Sequence, residues 1–147
     1  MTGNLGVFGF GNMGQALIKG LLANNIFSNR QLYVYDPDSS KIATARELDL
    51  RTATSYGEIV ANCDYLLLAC KPQQMRNVLE EIRSVWTGRP VVLSIAAGIS
   101  TKFIQSILGT AVKVIRVMPN TPALVSCGAS GIALGEGCGQ AEEQLAR

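Results

Sequence analysis

An α/β fold with a doubly wound, mostly parallel sheet and helices on both faces is what this sequence predicts, and three observations predict it. Short apolar runs recur at fairly even spacing: "LGVFGF" near residue 5, "LYVY" near 32, "YLLLA" near 65, "VVLSIA" near 91 and "VKVIRV" near 112. The stretches between them have a helical period. The runs are apolar on both faces, without the inside–outside alternation of half-exposed strands, as suits parallel strands covered by helices on either side.

Taken in order, the first run leads directly into "GFGNMG" at 9–14 and then into "NMGQALIKGLLAN", a predicted helix. "SYGE" at 55–58 is a capping box, in which the Ser55 hydroxyl takes a free backbone N–H and Glu58 reaches back to the start of the helix. Pro72 suits the first turn of a helix through "QQMRNVLEEIRSVW", because its missing N–H would have had no partner there. Ser100 and Thr101 offer a cap for "KFIQSILG", which Gly109 ends. No repeat or low-complexity tract interrupts residues 1–134, which are predicted to form one domain. From there "GEGCGQAEEQLAR" reads as a loop entering a helix that stops almost at once, so residues 135–147 are expected to begin a connection that is cut short.

The 147 residues suit a single core. Only 16% are charged, against about 25% in ordinary domains, which hints at a face covered by something else. A net charge of +2 without a basic run argues against a nucleic-acid partner. No histidine exists to pair with a serine or cysteine nucleophile, and the four cysteines, Cys63, Cys70, Cys127 and Cys138, lack metal-site spacing. The longest apolar runs fall far short of the roughly 20 residues of a membrane span. The expectation is a cytoplasmic protein with reduced thiols and no membrane partner.

"GFGNMG" matches G-x-G-x-x-G in the setting the motif needs, after a strand and opening a helix. Gly9 would allow the tight turn, Gly11 the approach of a pyrophosphate to backbone N–H groups, and Gly14 the close packing of helix on strand. The helix N-terminus adds its positive end. Asp36 closes the second predicted strand roughly 20 residues beyond Gly14, the spacing at which a carboxylate receives an adenosine ribose. Asp36 also suits a turn before Pro37, and both roles can hold together. A carboxylate there repels a 2′-phosphate, so within NAD(P)H the residue leans toward NADH, although Ser39, Ser40 and Lys41 nearby could receive a phosphate. The whole is a Rossmann-like, dinucleotide-binding pattern.

Three later signatures, "ACKP" at 69–72, "SIAAGIS" at 94–100 and "RVMPNTPALV" at 116–125, join "GFGNMG" in one order. Together the four resemble pyrroline-5-carboxylate reductase, over essentially the whole chain. The resemblance implies NAD(P)H-dependent reduction of the cyclic imine 1-pyrroline-5-carboxylate to L-proline, the last step of proline biosynthesis. Mapped by motif, it implies that the backbone of Gly9, Phe10, Gly11, Asn12 and Met13 contacts the pyrophosphate and that Asp36 faces the ribose. Ala69, Lys71 and Pro72 would line the groove after the third long run, and Ala96, Ala97 and Gly98 after the fourth. Asn120, held between Pro119 and Pro122, would stand near the nicotinamide and substrate. No residue of this chain is assigned a catalytic or metal role.

Each of these has a plainer reading on the residues alone. Lys71 could be a solvated side chain before a helix, "IAAG" a small-residue turn, and Phe10 and Met13 packing residues that offer only their N–H groups. Asn120 could satisfy local backbone in a turn stiffened by its two prolines. The resemblance further implies an all-helical domain beyond residue 147 that builds a homo-oligomer and most of the substrate pocket, so that this half alone would be inactive. The alternatives are a stand-alone dinucleotide-binding regulatory module and a related imine or β-hydroxyacid reductase.

Overall fold

A computed structural model of the chain describes residues 2–119 and 130–147. The predicted rhythm is present. Strand β1 (Leu5–Phe8) leads to helix α1 (Asn12–Ala23), and β2 (Leu32–Tyr35) to α2 (Ser39–Glu47). A two-residue β3 (Arg51–Thr52) precedes α3 (Tyr56–Asn62), β4 (Tyr65–Leu68), a 3-10 turn at Pro72–Gln74 and α4 (Met75–Ser84). Then follow β5 (Val91–Ser94), α5 (Thr101–Leu108), β6 (Val114–Pro119), β7 (Ser130–Leu134) and α6 (Gln140–Ala146).

The seven strands form one sheet in the order β3-β2-β1-β4-β5-β6-β7, all neighbours parallel except β6 and β7. Side chains alternate across the pleat to build two cores. Leu5 and Val7 of β1 meet Val34 of β2, Ile18 of α1 and Ala45 of α2 on one face. Phe8, Leu66 and Val92 meet Ile59 of α3, Leu79 of α4 and Ile104 of α5 on the other. Helices on both faces explain why β1 is buried at all four positions and why its run carries no polar alternation.

Local chemistry sets the helix ends. Ser55 accepts from the Glu58 N–H at 3.2 Å, as expected. The Glu58 carboxylate reaches one residue further back than a capping box requires, to Thr54, which offers both its N–H (2.9 Å) and its hydroxyl (3.2 Å). Pro72 opens a 3-10 turn rather than the helix itself, with the Gln74 N–H bonded to the Lys71 carbonyl at 2.9 Å; the regular helix begins at Met75 and ends at Ser84. Ser100 accepts from the Phe103 N–H, and Gly109 follows the last turn of α5. Two strands lay outside the predicted set: β3, two residues long, and β7, the antiparallel edge.

Helix α6 lies against β6 and β7. Gln105 of α5 donates to the carbonyls of Val112 and Glu136, each at 2.9 Å, which ties the entry of α6 to the body of the sheet. The largely buried Glu142 pairs with Lys113 and accepts from the Gly139 N–H at 2.8 Å. The Lys113 bond, followed by the Gly139 N–H, brings the Glu142 carboxyl down to about 2. Its stabilisation is therefore complete above the ordinary carboxyl pKa and fades as pH falls from about 4.5 toward about 2. Thermal unfolding should show Glu142→Gln melting below the native protein at pH 7, with the gap closing across that acid window. A gap that stays constant would remove the ion pair from the account.

Candidate dinucleotide groove

The strand order reverses direction between β1 and β4, and at such a switch point the carboxyl ends of parallel strands leave a crevice. The loop from β1 to α1 sits in it. Gly9 has φ of +93°, and a Cβ there would stand 2.7 Å from the backbone nitrogen of Cys70 and 2.8 Å from the carbonyl carbon of Ala69. Its N–H donates to the Tyr35 carbonyl at 2.9 Å, while the Ala69 N–H donates to the Phe8 carbonyl at 2.9 Å. The turn is thus wedged between the ends of β2 and β4. Only glycine fits both the torsion and the space.

Gly11 is different, since nothing lies within 4 Å of the position a Cβ would take. It is the N-cap of α1, no side chain caps this end, and the first turn holds no acidic residue. The first helical bond at this end runs from the Gln15 N–H to the Gly11 carbonyl at 2.9 Å, so the N–H groups of Asn12, Met13 and Gly14 stand ahead of the ladder. The amino ends of α2, α3 and α5 are closed by Asp38, Ser55 and Ser100 respectively. α1 presents its positive end open to an anion.

Asp36 braces this loop. Its Oδ2 accepts from the Phe10 N–H at 2.7 Å and its Oδ1 from the Asp38 N–H at 2.8 Å. The turn role expected of Asp36 is present, together with a strut to the glycine loop that spacing did not announce. Each oxygen keeps a lone pair for a further donor. The Phe10 ring is fully buried beside α1, and its N–H is already engaged by Asp36 rather than offered to the crevice. The Gln15 side chain holds the Phe10 carbonyl at 2.9 Å.

A groove of about 410 Å³ runs from this loop toward α4, and Gly9, Gly11, Asp36, Ala69 and Lys71 line it together. Phe10, Asn12, Met13 and Pro72 are not among its walls. Neither are Ala96, Ala97 and Gly98, which follow β5; Ala96 is buried, whereas Ala97 and Gly98 are exposed. Asn120 lies outside the described residues.

Sequence reasoning missed the far wall. Tyr35 and Tyr56 face each other with ring centroids 4.6 Å apart, and Tyr56 stacks on Phe8 at 5.2 Å. Burial, then the neighbouring Tyr35, pushes the Tyr56 hydroxyl up to about 12, and burial pushes the Cys70 thiol up to about 11. Both stay neutral at ordinary pH, leaving an uncharged wall there. Gln74 and Asn77 complete it from the 3-10 turn and α4. Their spacing of three was a visible signal of a shared helical face; nothing in "SYGE" showed that Tyr56 would meet the ends of β1 and β2.

Among the described residues no group of histidine, cysteine and carboxylate side chains could hold a metal ion, and no helix is long and apolar enough to cross a membrane. What the arrangement offers is an anion-receiving helix end, a carboxylate beside it and an aromatic wall beyond, spaced along one groove.

Known proteins share this fold and part of this sequence. The pyrroline-5-carboxylate reductase of Escherichia coli (strain K12) is 38% identical over 133 residues, covering 90% of this chain and 49% of that protein. The structure of a pyrroline-5-carboxylate reductase from Coxiella burnetii superposes with a TM-score of 0.91 at 32% identity, covering 99% of this chain and 54% of that one. The Plasmodium falciparum pyrroline carboxylate reductase, solved with NADP bound, gives a TM-score of 0.84 at 26% identity, covering 99% and 53%. This chain thus spans about half the length of the relatives it matches. The family described as "NADP oxidoreductase coenzyme F420-dependent" matches residues 4–98. The chain belongs to that family, and the three relatives named above are pyrroline-5-carboxylate or pyrroline carboxylate reductases.

Proposed function

We propose that this chain is the cofactor-binding part of a pyrroline-5-carboxylate reductase, an NAD(P)H-dependent oxidoreductase that forms L-proline from 1-pyrroline-5-carboxylate. The observation that carries the reading is the uncapped amino end of α1, opening through Gly11 onto the groove, where α2, α3 and α5 are closed by side chains. When bound, the reduced nicotinamide supplies a hydride from its C4 to the carbon of the substrate C=N bond. The residues here bind and orient. The N–H groups of Asn12, Met13 and Gly14 would hold the pyrophosphate, the free lone pairs of Asp36 the adenosine ribose, and the Tyr35–Tyr56 wall the adenine. Small Ala96, Ala97 and Gly98 after β5, with Asn120, would admit the nicotinamide half.

A hydride transfer needs donor and acceptor held face to face without water, and no side-chain nucleophile. A chain without histidine meets that demand. The part of the relatives that this chain does not span would supply the remaining substrate contacts and a homo-oligomeric assembly, in the cytoplasm. The NADH preference rests on the chain's own Asp36, in contrast to the NADP held by the Plasmodium relative. The test is cofactor oxidation by the gene product carrying these residues. Proline formation from the imine with NADH, and a lower Kd for NADH than NADPH, is the expected result. Oxidation only with open-chain β-keto acid or semialdehyde acceptors, or none with any substrate while cofactor binds, would overturn it.

Tyr56→Ala should weaken NADH and NADPH alike by about 5- to 30-fold, the measure of one lost base–aromatic contact at about 1–2 kcal/mol. Fluorescence titration would check it; unchanged affinity for both would move the adenine elsewhere.

A further inference from the structure

Two residues beyond Asp36, the groove contains a second carboxylate whose contacts the dinucleotide reading has not used. Helix α2 runs for nine residues, and its N-cap is Asp38. The Asp38 Oδ1 accepts from the Ser40 N–H at 2.8 Å and from the Ser40 hydroxyl at 2.7 Å. These bonds hold the Asp38 carboxyl below its usual range, with a smaller contribution from Lys41. Asp36, Pro37, Asp38 and Lys41 all line the groove, at the end of β2 where an adenosine ribose is received.

We propose that Asp38 is a second specificity-determining residue, a carboxylate occupying the helix end that would otherwise receive the 2′-phosphate of NADPH. This rests on the reading of the groove as a dinucleotide site. A phosphate at this turn needs donors and positive charge. Of the donors in the first turn of α2, the Ser40 N–H and hydroxyl already serve Asp38. At the end of β2 the carboxylates of Asp36 and Asp38 stand with Lys41, while Lys71, the other lysine of the groove, follows β4. A ribose hydroxyl has no such difficulty, because it donates to lone pairs that Asp36 still offers.

Asp36 and Asp38 therefore differ in kind. Asp36 braces the glycine loop through the Phe10 N–H, so its loss harms both cofactors. The Asp38 carboxylate is bonded instead to Ser40, within its own helix. Removing it releases a phosphate cradle made of the Ser40 N–H, the Ser40 hydroxyl and Lys41.

The experiment measures Kd for NADH and NADPH with the full-length gene product and its Asp38→Ala and Asp38→Asn variants, each with its melting temperature. Asparagine caps a helix about as well as aspartate, so the second variant removes the charge while keeping the helix end closed. The expected result is a fall of at least about fivefold in the ratio of the NADPH to the NADH Kd for Asp38→Ala, and a smaller fall in the same direction for Asp38→Asn. If Asp38→Ala does not fold, the fall in Asp38→Asn alone carries the test. A folded variant whose ratio equals that of the native protein overturns the role of Asp38 and leaves the dinucleotide reading standing. A native protein that binds neither cofactor overturns the reading and the proposal with it.

Discussion

Gly11→Ala should abolish most dinucleotide binding while leaving the fold intact. The methyl group meets nothing within 4 Å, so the change costs the folded chain only what alanine costs at an N-cap, about 1 kcal/mol at most. Gly11 lines the groove at the open end of α1, where a pyrophosphate must come within hydrogen-bond distance of the N–H groups. Affinity for NADH and NADPH should fall by about 100-fold or more, read by calorimetry, with Tm lowered by no more than about 4 °C. Gly9→Ala should do the reverse in emphasis. At φ of +93° and 2.7 Å from the Cys70 nitrogen, its methyl group displaces backbone, not a ligand. A loss of about 3 kcal/mol or more of stability is expected, with binding lost as a consequence. Equal stability losses in the two variants would contradict the division of labour drawn here between turn and cradle.

The second large effect is expected at Asp36. Asp36→Ala leaves the N–H groups of Phe10 and Asp38 without the carboxylate that now holds them. Hydrogen bonds to a charged acceptor are each worth about 1.5–3 kcal/mol, and loosening one of them frees the glycine loop. Unfolding should come earlier by about 2 kcal/mol, or about 4–8 °C in Tm, and both cofactors should bind at least tenfold more weakly. A plain ribose acceptor would predict something else: unchanged stability, weaker NADH and stronger NADPH. Calorimetry on the apo and cofactor-loaded protein separates the two.

Much of this was legible because the relevant forces are local or periodic. Runs such as "LYVY" and "YLLLA" are apolar on both faces, and only a sheet covered on both sides buries them, so the α/β architecture followed. The caps at Ser55 and Ser100 followed from bonds spanning three residues. β3 and β7 escaped because two paired residues carry no period, and because "SGIAL" owes its strand conformation to pairing with β6.

The site divides along the same line. Gly9, Gly11 and Asp36 were readable from motif spacing, Ala69 and Lys71 from the resemblance, and the five do meet in one groove. The brace from Asp36 to Phe10 spans 26 positions, and the Tyr35–Tyr56 contact depends on how α3 lands on the sheet. Neither has a local signature. Asp38 lay in plain view as an N-cap, yet its meaning depends on the groove beside it, which only the assembled strand ends create.

The central claim is that the open amino end of α1 receives the pyrophosphate of a dinucleotide. Its most direct test is an NMR titration of the chain with NADH, following the backbone amides one by one. The account predicts that Gly11, Asn12, Met13 and Gly14 move first and furthest, with Tyr56 and Asp38 responding along the same saturation curve. Saturable binding that leaves those four amides at their free positions would contradict it.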